Sequence, residues 1–139
     1  MPQADIETLR VIYEAVSRDD WDAAVPYAHP DFEWITAGGV LGAGAYRGPE
    51  EVRRFFNEQS EAFAEVTFEP AQFFARNDQV VVFVLARARP TGSTALMETR
   101  IGHLWAMRDG KAARCEAFLE PGAALQAAGL SEQDAHLDS

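Results

Sequence analysis

The sequence predicts an α+β fold, in which a cone-shaped, curved antiparallel or mixed sheet wraps around N-terminal helices and stays open at one end. Three observations lead to this prediction. Helical periodicity is concentrated before residue 64, four segments with two-residue alternation follow it, and short turn signals separate these segments. Helices that precede an antiparallel meander bury their apolar stripes against one of its faces, which leaves room for a pocket between the layers.

Two helices are predicted before the first strand. The first is capped by Asp5, and the second starts at Asp19 or Asp20, is disturbed by Pro26 and ends at His29-Pro30. The buried face of the first consists of apolar residues at helical spacing: Ile6, Leu9, Ile12, Tyr13 and Val16.

A third helix begins at Gly48-Pro49-Glu50-Glu51, with proline at the first helical position and acids where the helix dipole favours them. The apolar stripe of this helix is formed by Val52, Phe55, Phe56 and Phe63. The glycine-rich stretch over residues 37–48 has neither helical nor strand period and predicts a loop. A last short helix starts at Pro121, runs to residue 128 and is stopped by Gly129.

Alternation and turn residues predict five strands. They cover residues 32–36, 66–76, 79–89, 96–108 and 111–120. No internal repeat and no domain linker interrupts this order. The length of 139 residues therefore predicts a single domain over residues 1–130, followed by a flexible tail over residues 131–139.

The hairpin around Asp109-Gly110 decides which side chains face inward. A two-residue loop pairs Arg108 with Lys111 and sets the apolar faces of the two strands against each other. A three-residue loop over residues 108–110 removes this conflict: Met107 then lies opposite Lys111, and His103 lies opposite Cys115. We predict this second register. It leaves His103 as the titratable group of an otherwise apolar inner face and turns Glu116 outward.

Charge and composition limit the classes of partner. A formal net charge of −10 and a pI near 4.6 disfavour nucleic acid and anionic membrane surfaces, because like charges repel. With 47% hydrophobic residues the chain can form a substantial core. Its single cysteine, together with the lack of a basic leader or an apolar run of membrane-spanning length, predicts a cytoplasmic protein.

Three stretches resemble the SnoaL-like branch of the nuclear transport factor 2 (NTF2-like) superfamily. They are residues 29–34 (HPDFEW), residues 45–55 (AYRGPEEVRRF), and residues 102–105 (GHLW) followed by 108–111 (RDGK). The resemblance covers about residues 5–130 and implies a cystatin-like α+β barrel, commonly a homodimer built through the outer sheet faces. This fold hosts isomerases, hydrolases, cyclases, dehydratases and proteins that only bind or act as scaffolds, so it does not by itself specify a reaction.

The catalytic members of that family can be compared position by position. Steroid isomerases of this fold use a base carboxylate on the first strand, a tyrosine on the first helix and an acid on the inner hairpin. Rough alignment places Thr36, Ile12 and His103 there, so both the base and the tyrosine are absent. The Asp-Arg-Asp set of limonene-epoxide-hydrolase-like members cannot be assembled from inward positions. For a cyclase-like acid–base residue, His103 is the candidate.

His103 has two interpretations. In an apolar pocket its imidazole can act as general acid or base on a carbonyl or enol substrate, or it can simply hydrogen-bond a buried neighbour. Trp34 and Trp105 either line the pocket for a flat apolar ligand or pack in the core, and Tyr46 lies at the rim beside the glycine-rich loop. The predicted ligand-binding set is Trp34, Thr36, Tyr46, Ile101, His103, Trp105, Cys115, Ala117 and Leu119.

The charged residues of the later strands are predicted to face outward. They form cross-strand pairs, and we interpret their face as a homodimer surface: Glu98, Arg100, Arg114 and Glu116, with Arg87 and Arg89 less well placed. His29, His103 and His136 lack ligand spacing, so no metal site is predicted, and no motif indicates a cofactor. Cys115, on an apolar face, is expected to be a structural thiol.

These observations lead to three hypotheses. The first is a SnoaL-like homodimer whose cone binds a hydrophobic small molecule, polyketide- or steroid-like, with cofactor-free isomerase, cyclase or hydrolase chemistry at His103. The second is a ligand-binding protein without catalysis. The third is a dimeric interaction scaffold, in which the pocket is filled by Trp34, Trp105 and phenylalanine side chains.

Overall fold

A computed structural model of the chain describes residues 2–36 and 44–136. Four helices and seven strands follow one another in the order α1 (Pro2–Ser17), α2 (Trp21–Ala24), β1 (Ala28–Thr36), β2 (Gly44–Arg47), α3 (Gly48–Ala62), β3 (Phe63–Arg76), β4 (Gln79–Pro90), β5 (Met97–Arg108), β6 (Lys111–Phe118), α4 (Pro121–Ala128) and β7 (Ala135–His136). Short 3-10 turns over Val25–Tyr27 and Glu132–Asp134 complete the order. Within these residues no helix is long and apolar enough to cross a membrane.

All seven strands belong to one mixed sheet, in the order β2-β1-β6-β5-β4-β3-β7. β1 runs parallel to β6, and every other neighbouring pair is antiparallel. Bulges interrupt the pairing in β1, in β3 and between β5 and β6, and bulges bend the strands that contain them. The sheet is curved and open, which confirms the predicted α+β fold.

The main core lies between the inner face of the sheet and helices α1 and α3. Ile6 and Leu9 of α1 and Val80 and Val82 of β4 are almost completely buried there, and Phe55 joins them from α3. The apolar stripe predicted for α1 is therefore the face that packs on the sheet. Val52 and Phe55 of the stripe predicted for α3 are likewise buried, whereas Phe63 is the first residue of β3.

A second core lies on the outer face of the sheet, part of which we predicted to be a homodimer surface. Leu125 of the chain's own α4 and Leu130, which follows that helix, pack there against Phe74 and Val81. Gly102 of β5 permits this contact, because a Cβ at this position would lie 2.9 Å from the Ala124 Cβ and 3.0 Å from the Pro121 Cα. Alternation shows which face is apolar but does not identify the element that covers it.

The β5–β6 hairpin corrects the predicted register. Arg108 lies opposite Lys111, so the turn is the two-residue loop Asp109-Gly110, and both of these residues adopt the left-handed conformation with φ of 54° and 76°. A bulge just beyond the turn then shifts the register, so that His103 lies opposite Ala117 and not opposite Cys115. The bulge restores the alignment of the apolar faces, which we had assigned to a longer loop.

Other differences are local. Asp20 caps α2 by accepting a hydrogen bond from the Ala23 amide. Near Pro26 the helix changes into the 3-10 turn, and β1 then begins four residues earlier than expected. Of the predicted loop over residues 37–48, the part over Gly44–Arg47 is strand β2, Gly48 opens α3, and residues 37–43 lie outside the described residues. The expected tail contributes β7, paired with Phe73–Phe74, and residues 137–139 lie outside the described part.

Candidate functional site

Two adjoining cavities lie between the helices and the inner face of the sheet. The first has a volume of about 260 Å³ and lies among α1, α2, α3, β1 and β5; the second, of about 520 Å³, extends toward β3 and the end of β6. The lining of both includes six residues: Val16, Trp21, Trp34, Phe56, Phe68 and His103. Since five of these six side chains are apolar or aromatic, the region between the cavities suits a flat hydrophobic molecule.

The predicted ligand-binding residues fall into four groups, the last of which lines neither cavity. Trp34 and His103 line both cavities, and Trp105 lines the first. The second is lined by Thr36, Ile101, Ala117 and Leu119.

Cys115 and Tyr46 line neither cavity. Cys115 is completely buried between Trp34 of β1 and Trp105 of β5, and burial raises the pKa of its thiol well above the ordinary value. Tyr46 packs its ring on Phe55, with ring centroids 4.5 Å apart. Tyr46 therefore packs on the third helix, and Cys115 is a buried packing residue.

His103 occupies the centre of the inner face. It lies between Val82 and Ala117 on the neighbouring strands, and only 2% of its surface is exposed. Aromatic rings surround its imidazole: Tyr13 is stacked on it with centroids 5.7 Å apart, and Trp34 contacts it nearly perpendicularly at 5.2 Å. Burial lowers the pKa of His103 to about 3, so the ring is neutral near pH 7.

A buried chain of hydrogen bonds holds this imidazole. The Trp105 Nε1–H donates to the Tyr13 hydroxyl oxygen at 2.8 Å, and the hydroxyl lies 2.7 Å from the His103 Nδ1. Burial raises the pKa of Tyr13 well above its usual value, so the hydroxyl keeps its proton. The hydroxyl oxygen already accepts a hydrogen bond from Trp105, and its own proton finds a partner when it is donated to Nδ1 of His103. An accepting Nδ1 carries no proton, so we assign the proton of the neutral imidazole to Nε2.

Tyr13 is the functional candidate that the sequence comparison missed. Rough alignment placed Ile12 where related isomerases have a tyrosine, but the next residue, Tyr13, is the one that reaches the inner hairpin. Both side chains belong to the buried stripe of α1 and both line the first cavity. A one-residue shift on a helix rotates a side chain by about 100°, so the alignment had to be correct to the residue to identify the tyrosine.

Two buried nitrogen atoms at this site have no hydrogen-bond partner within the described part of the chain. They are the Nε1 of Trp34 and the Nε2 of His103. Buried polar groups in folded proteins are nearly always hydrogen-bonded, because an unmade bond costs about 1–3 kcal/mol. Both side chains line both cavities, and the two nitrogen atoms themselves are buried.

The charged groups of the first cavity lie at its mouth. Asp22, Glu50 and Arg53 line it and are all exposed, and Arg53 approaches Asp22 at 3.5 Å between α3 and α2. The carboxylates beside the second cavity, Asp19 and Glu65, are exposed as well. Among residues 2–36 and 44–136, no group of three or more His, Cys, Asp or Glu side chains is placed to hold a metal ion.

The charged residues predicted to face outward do form pairs on the outer face of the sheet. Arg87 contacts Glu69 and, at 2.9 Å, Glu98, which settles its orientation. Arg114 lies 3.5 Å from Glu116 and 3.9 Å from Glu33. Glu116 is thus outside the cavity, as the apolar pattern of β6 predicted.

Comparison with known proteins agrees with this architecture. TerC, crystallised with polyporic acid, is 26% identical over 86% of this chain and 94% of its own, with a TM-score of 0.78. An NTF2-like protein of Burkholderia pseudomallei is 22% identical, with a TM-score of 0.76 and coverage of 88% and 95%. A putative polyketide cyclase of Sinorhizobium meliloti is 21% identical, with a TM-score of 0.65 and coverage of 80% and 93%.

A sequence search among curated proteins found no significant match. The model of the SnoaL-like domain, however, matches residues 9–115, which run from the middle of α1 into β6. These residues include the helix that carries Tyr13 and the strands that carry Trp34 and His103. This match shows that the chain belongs to the family of SnoaL-like domains, and the curved, open sheet and the structural relatives show that its fold is NTF2-like.

Proposed function

We propose that this protein binds an apolar, flat small molecule, such as a polyketide-like, steroid-like or other aromatic compound, in the cavities around Trp34 and His103. The observation that carries the proposal is the combination of an aromatic lining with two buried, unpartnered nitrogen atoms on side chains that line both cavities. A core that served only for packing would not be expected to contain buried nitrogen atoms without hydrogen-bond partners. The similarity to TerC, which was crystallised with polyporic acid, makes that compound the first ligand to test.

The state of His103 favours binding over proton transfer. A general base works best when its pKa lies near the working pH, and a buried imidazole with a pKa of about 3 takes up a substrate proton poorly at pH 7. We therefore propose that His103 contacts the ligand through a hydrogen bond and does not carry a proton between substrate atoms.

Cofactor-free catalysis by an isomerase, cyclase or hydrolase is the second candidate. The hydrogen bond between Tyr13 and His103 favours it, because a tyrosine on the first helix and a polar residue on the inner hairpin are the arrangement that the resemblance to steroid isomerases implies. Among the described residues, however, the cavities contain no buried carboxylate that could act as the base, since the carboxylates in their lining are exposed. The room around His103 argues against a scaffold with a filled pocket.

Two further properties belong to the proposal. We propose a cytoplasmic homodimer that associates through the part of the outer sheet face that α4 leaves free, where Arg87 pairs with Glu69 and Glu98. Light scattering coupled to size-exclusion chromatography measures the mass directly. A monomer at micromolar concentration would contradict the dimer and leave the binding proposal intact.

The binding proposal is tested by filling the cavities. Val16 lines both, so Val16→Trp should reduce binding of polyporic acid, measured by titration calorimetry, by at least about tenfold. Leu96→Trp, at a position that is 53% exposed and lines neither cavity, is the matched control. Mass spectrometry of molecules that copurify with the protein gives an independent measurement. Unchanged affinity in a folded Val16→Trp variant would refute the assignment of the ligand to these cavities.

The two candidate functions are separated by kinetics. If polyporic acid or a copurified compound binds and is recovered unchanged after prolonged incubation with the protein, the binding function is supported. Turnover that His103→Gln abolishes without a comparable loss of affinity would instead establish catalysis. In that case the expectation of a neutral, non-transferring imidazole would be wrong.

A further inference from the structure

We propose that the two cavities are the halves of one elongated binding site, and that the side chain of Phe56 closes the passage between them and moves aside for a ligand that spans both. The ligand is then a long, flat, apolar molecule with more rings than either cavity holds. This inference rests on the proposed binding function and adds to it the shape of the ligand and the residue that selects for it. Its basis is the order in which the elements line the two cavities.

Four elements of the described part of the chain pass from the first cavity to the second in the same way. In each, a residue that lines both cavities lies between one that lines only the first and one that lines only the second. The four series are Tyr13, Val16 and Ser17 in α1; Phe32, Trp34 and Thr36 in β1; Arg53, Phe56 and Asn57 in α3; and Trp105, His103 and Ile101 in β5. The cavities therefore lie end to end, and the residues that line both surround their junction.

Phe56 packs against junction residues from three other elements. Its ring centroid lies 5.0 Å from that of Trp21 in α2, 5.1 Å from that of Trp34 in β1 and 6.1 Å from that of Phe68 in β3. All three of these neighbours line both cavities as well. A ring in contact with three sides of the junction fills the space through which a spanning ligand has to pass.

Two of these neighbours are held in place by hydrogen bonds. The Trp21 Nε1–H donates to Asp19 at 3.0 Å, and the Ser17 hydroxyl donates to the backbone oxygen of Phe68 and accepts from its backbone N–H, both at 3.1 Å. The phenyl ring of Phe56 lacks a hydrogen-bonding group and is only partly buried. Two χ1 rotamers are open to a phenylalanine in a helix, so Phe56 can leave the junction by a rotamer change while its neighbours stay in place.

The cavity volumes set the size of ligand that needs this passage. A cavity of roughly 150 Å³ holds one benzene ring, so the first cavity, of about 260 Å³, has room for about two rings and the second, of about 520 Å³, for about three. A molecule with four fused rings exceeds either cavity. The charged lining residues are exposed, and the junction is apolar and aromatic apart from His103, which suits the middle of a continuous flat body.

Two neutral fluorescent probes test whether a ligand spans the junction. Nile red has four fused rings, and 7-methoxycoumarin has two. Ala28→Trp narrows only the first cavity and Ala88→Trp only the second, and both positions are half-buried. In fluorescence titrations each variant should weaken Nile red binding by at least about tenfold, and each should leave 7-methoxycoumarin within about threefold, because the other cavity remains open to it. Leu96→Trp, which lines neither cavity, is the control.

The role of Phe56 is tested by association rates. In stopped-flow fluorescence, Phe56→Ala should speed Nile red association by at least about tenfold, because the junction no longer has to open, and should leave that of 7-methoxycoumarin within about twofold. Phe56→Leu, which keeps an apolar side chain, should give an intermediate rate and tests the same passage if the alanine variant does not fold. Phe83→Ala is the matched control, since Phe83 is also half-buried but packs in the outer core and lines neither cavity.

Three outcomes would overturn the elongated site and its passage. They are a loss of Nile red affinity in only one of the two tryptophan variants, an unchanged association rate in the folded Phe56 variants, and no binding of Nile red to the native protein. The binding function would still stand in each case if 7-methoxycoumarin or polyporic acid binds. Failure of Nile red, 7-methoxycoumarin and polyporic acid alike to bind would refute both the elongated site and the binding function.

Discussion

Replacing Tyr13 by phenylalanine isolates the buried hydrogen-bond chain with little change in volume. The hydroxyl accepts from Trp105 at 2.8 Å and lies 2.7 Å from the His103 Nδ1, and all three side chains are at least nine-tenths buried. Its removal leaves two buried polar atoms without partners, each costing about 1–3 kcal/mol. We expect Tyr13→Phe to lower the free energy of unfolding by roughly 2–6 kcal/mol.

Urea unfolding, followed by far-UV circular dichroism, measures this loss, with Tyr27→Phe, at a position 39% exposed, as the control for removing a hydroxyl. A double-mutant cycle with Trp105→Phe should show that the two substitutions are not additive, because both remove the same bond. A loss below about 0.5 kcal/mol, equal to that of Tyr27→Phe, would refute the buried chain and with it the reason for assigning the His103 proton to Nε2.

Three further outcomes are expected. The pKa of His103 is near 3 in the folded protein and 6.5 without the burial that folding imposes, so unfolding takes up a proton between these two pH values. The free energy of unfolding should therefore fall by up to about 1.4 kcal/mol per pH unit from pH 6 to 3. The His103→Gln variant, measured by urea unfolding across that range, should lack this component. Gly102→Val should destabilise the protein by about 1–3 kcal/mol in the same assay, since Pro121 and Ala124 of α4 must move away from the new side chain, whereas Gly110→Asn at the exposed turn should cost less. Cys115 should react with a maleimide, followed by mass spectrometry, only at the rate of global unfolding, and fast labelling of the native protein would contradict its burial.

Much of the fold could be predicted from local patterns. The order of the four helices and five of the strands followed from periodicity and from turn residues, whereas β2 and β7 were not predicted. The inward position of His103 followed from the alternation of β5. The register of the β5–β6 hairpin could not be predicted, because a three-residue loop and a two-residue loop with a bulge both align the apolar faces of the two strands. The local sequence shows that the apolar faces must align, but it does not show whether the additional residue lies in the turn or in a bulge.

The site shows a second limit. Trp34 and Trp105 were placed in the cavity by alternation, but the partner of His103 is Tyr13, ninety residues away in sequence on α1. A helical stripe identifies a buried face about 100° wide and does not specify which of its members reaches a given strand residue. The cover over Gly102 was missed for the same reason, since α4 is short and its docking site is set by tertiary packing.

The burial that defines the site also decides between its chemical roles. Enclosure by Tyr13, Trp34, Phe68 and Trp105 removes water from His103, and this desolvation lowers the pKa of the imidazole to about 3. The same enclosure strengthens each hydrogen bond that the neutral ring donates, because the surrounding medium is apolar. A group cannot be both so well desolvated and an effective base near neutral pH, unless a buried anion accompanies it. The described residues place no carboxylate against this imidazole, so the structure favours recognition of an acceptor oxygen over proton abstraction.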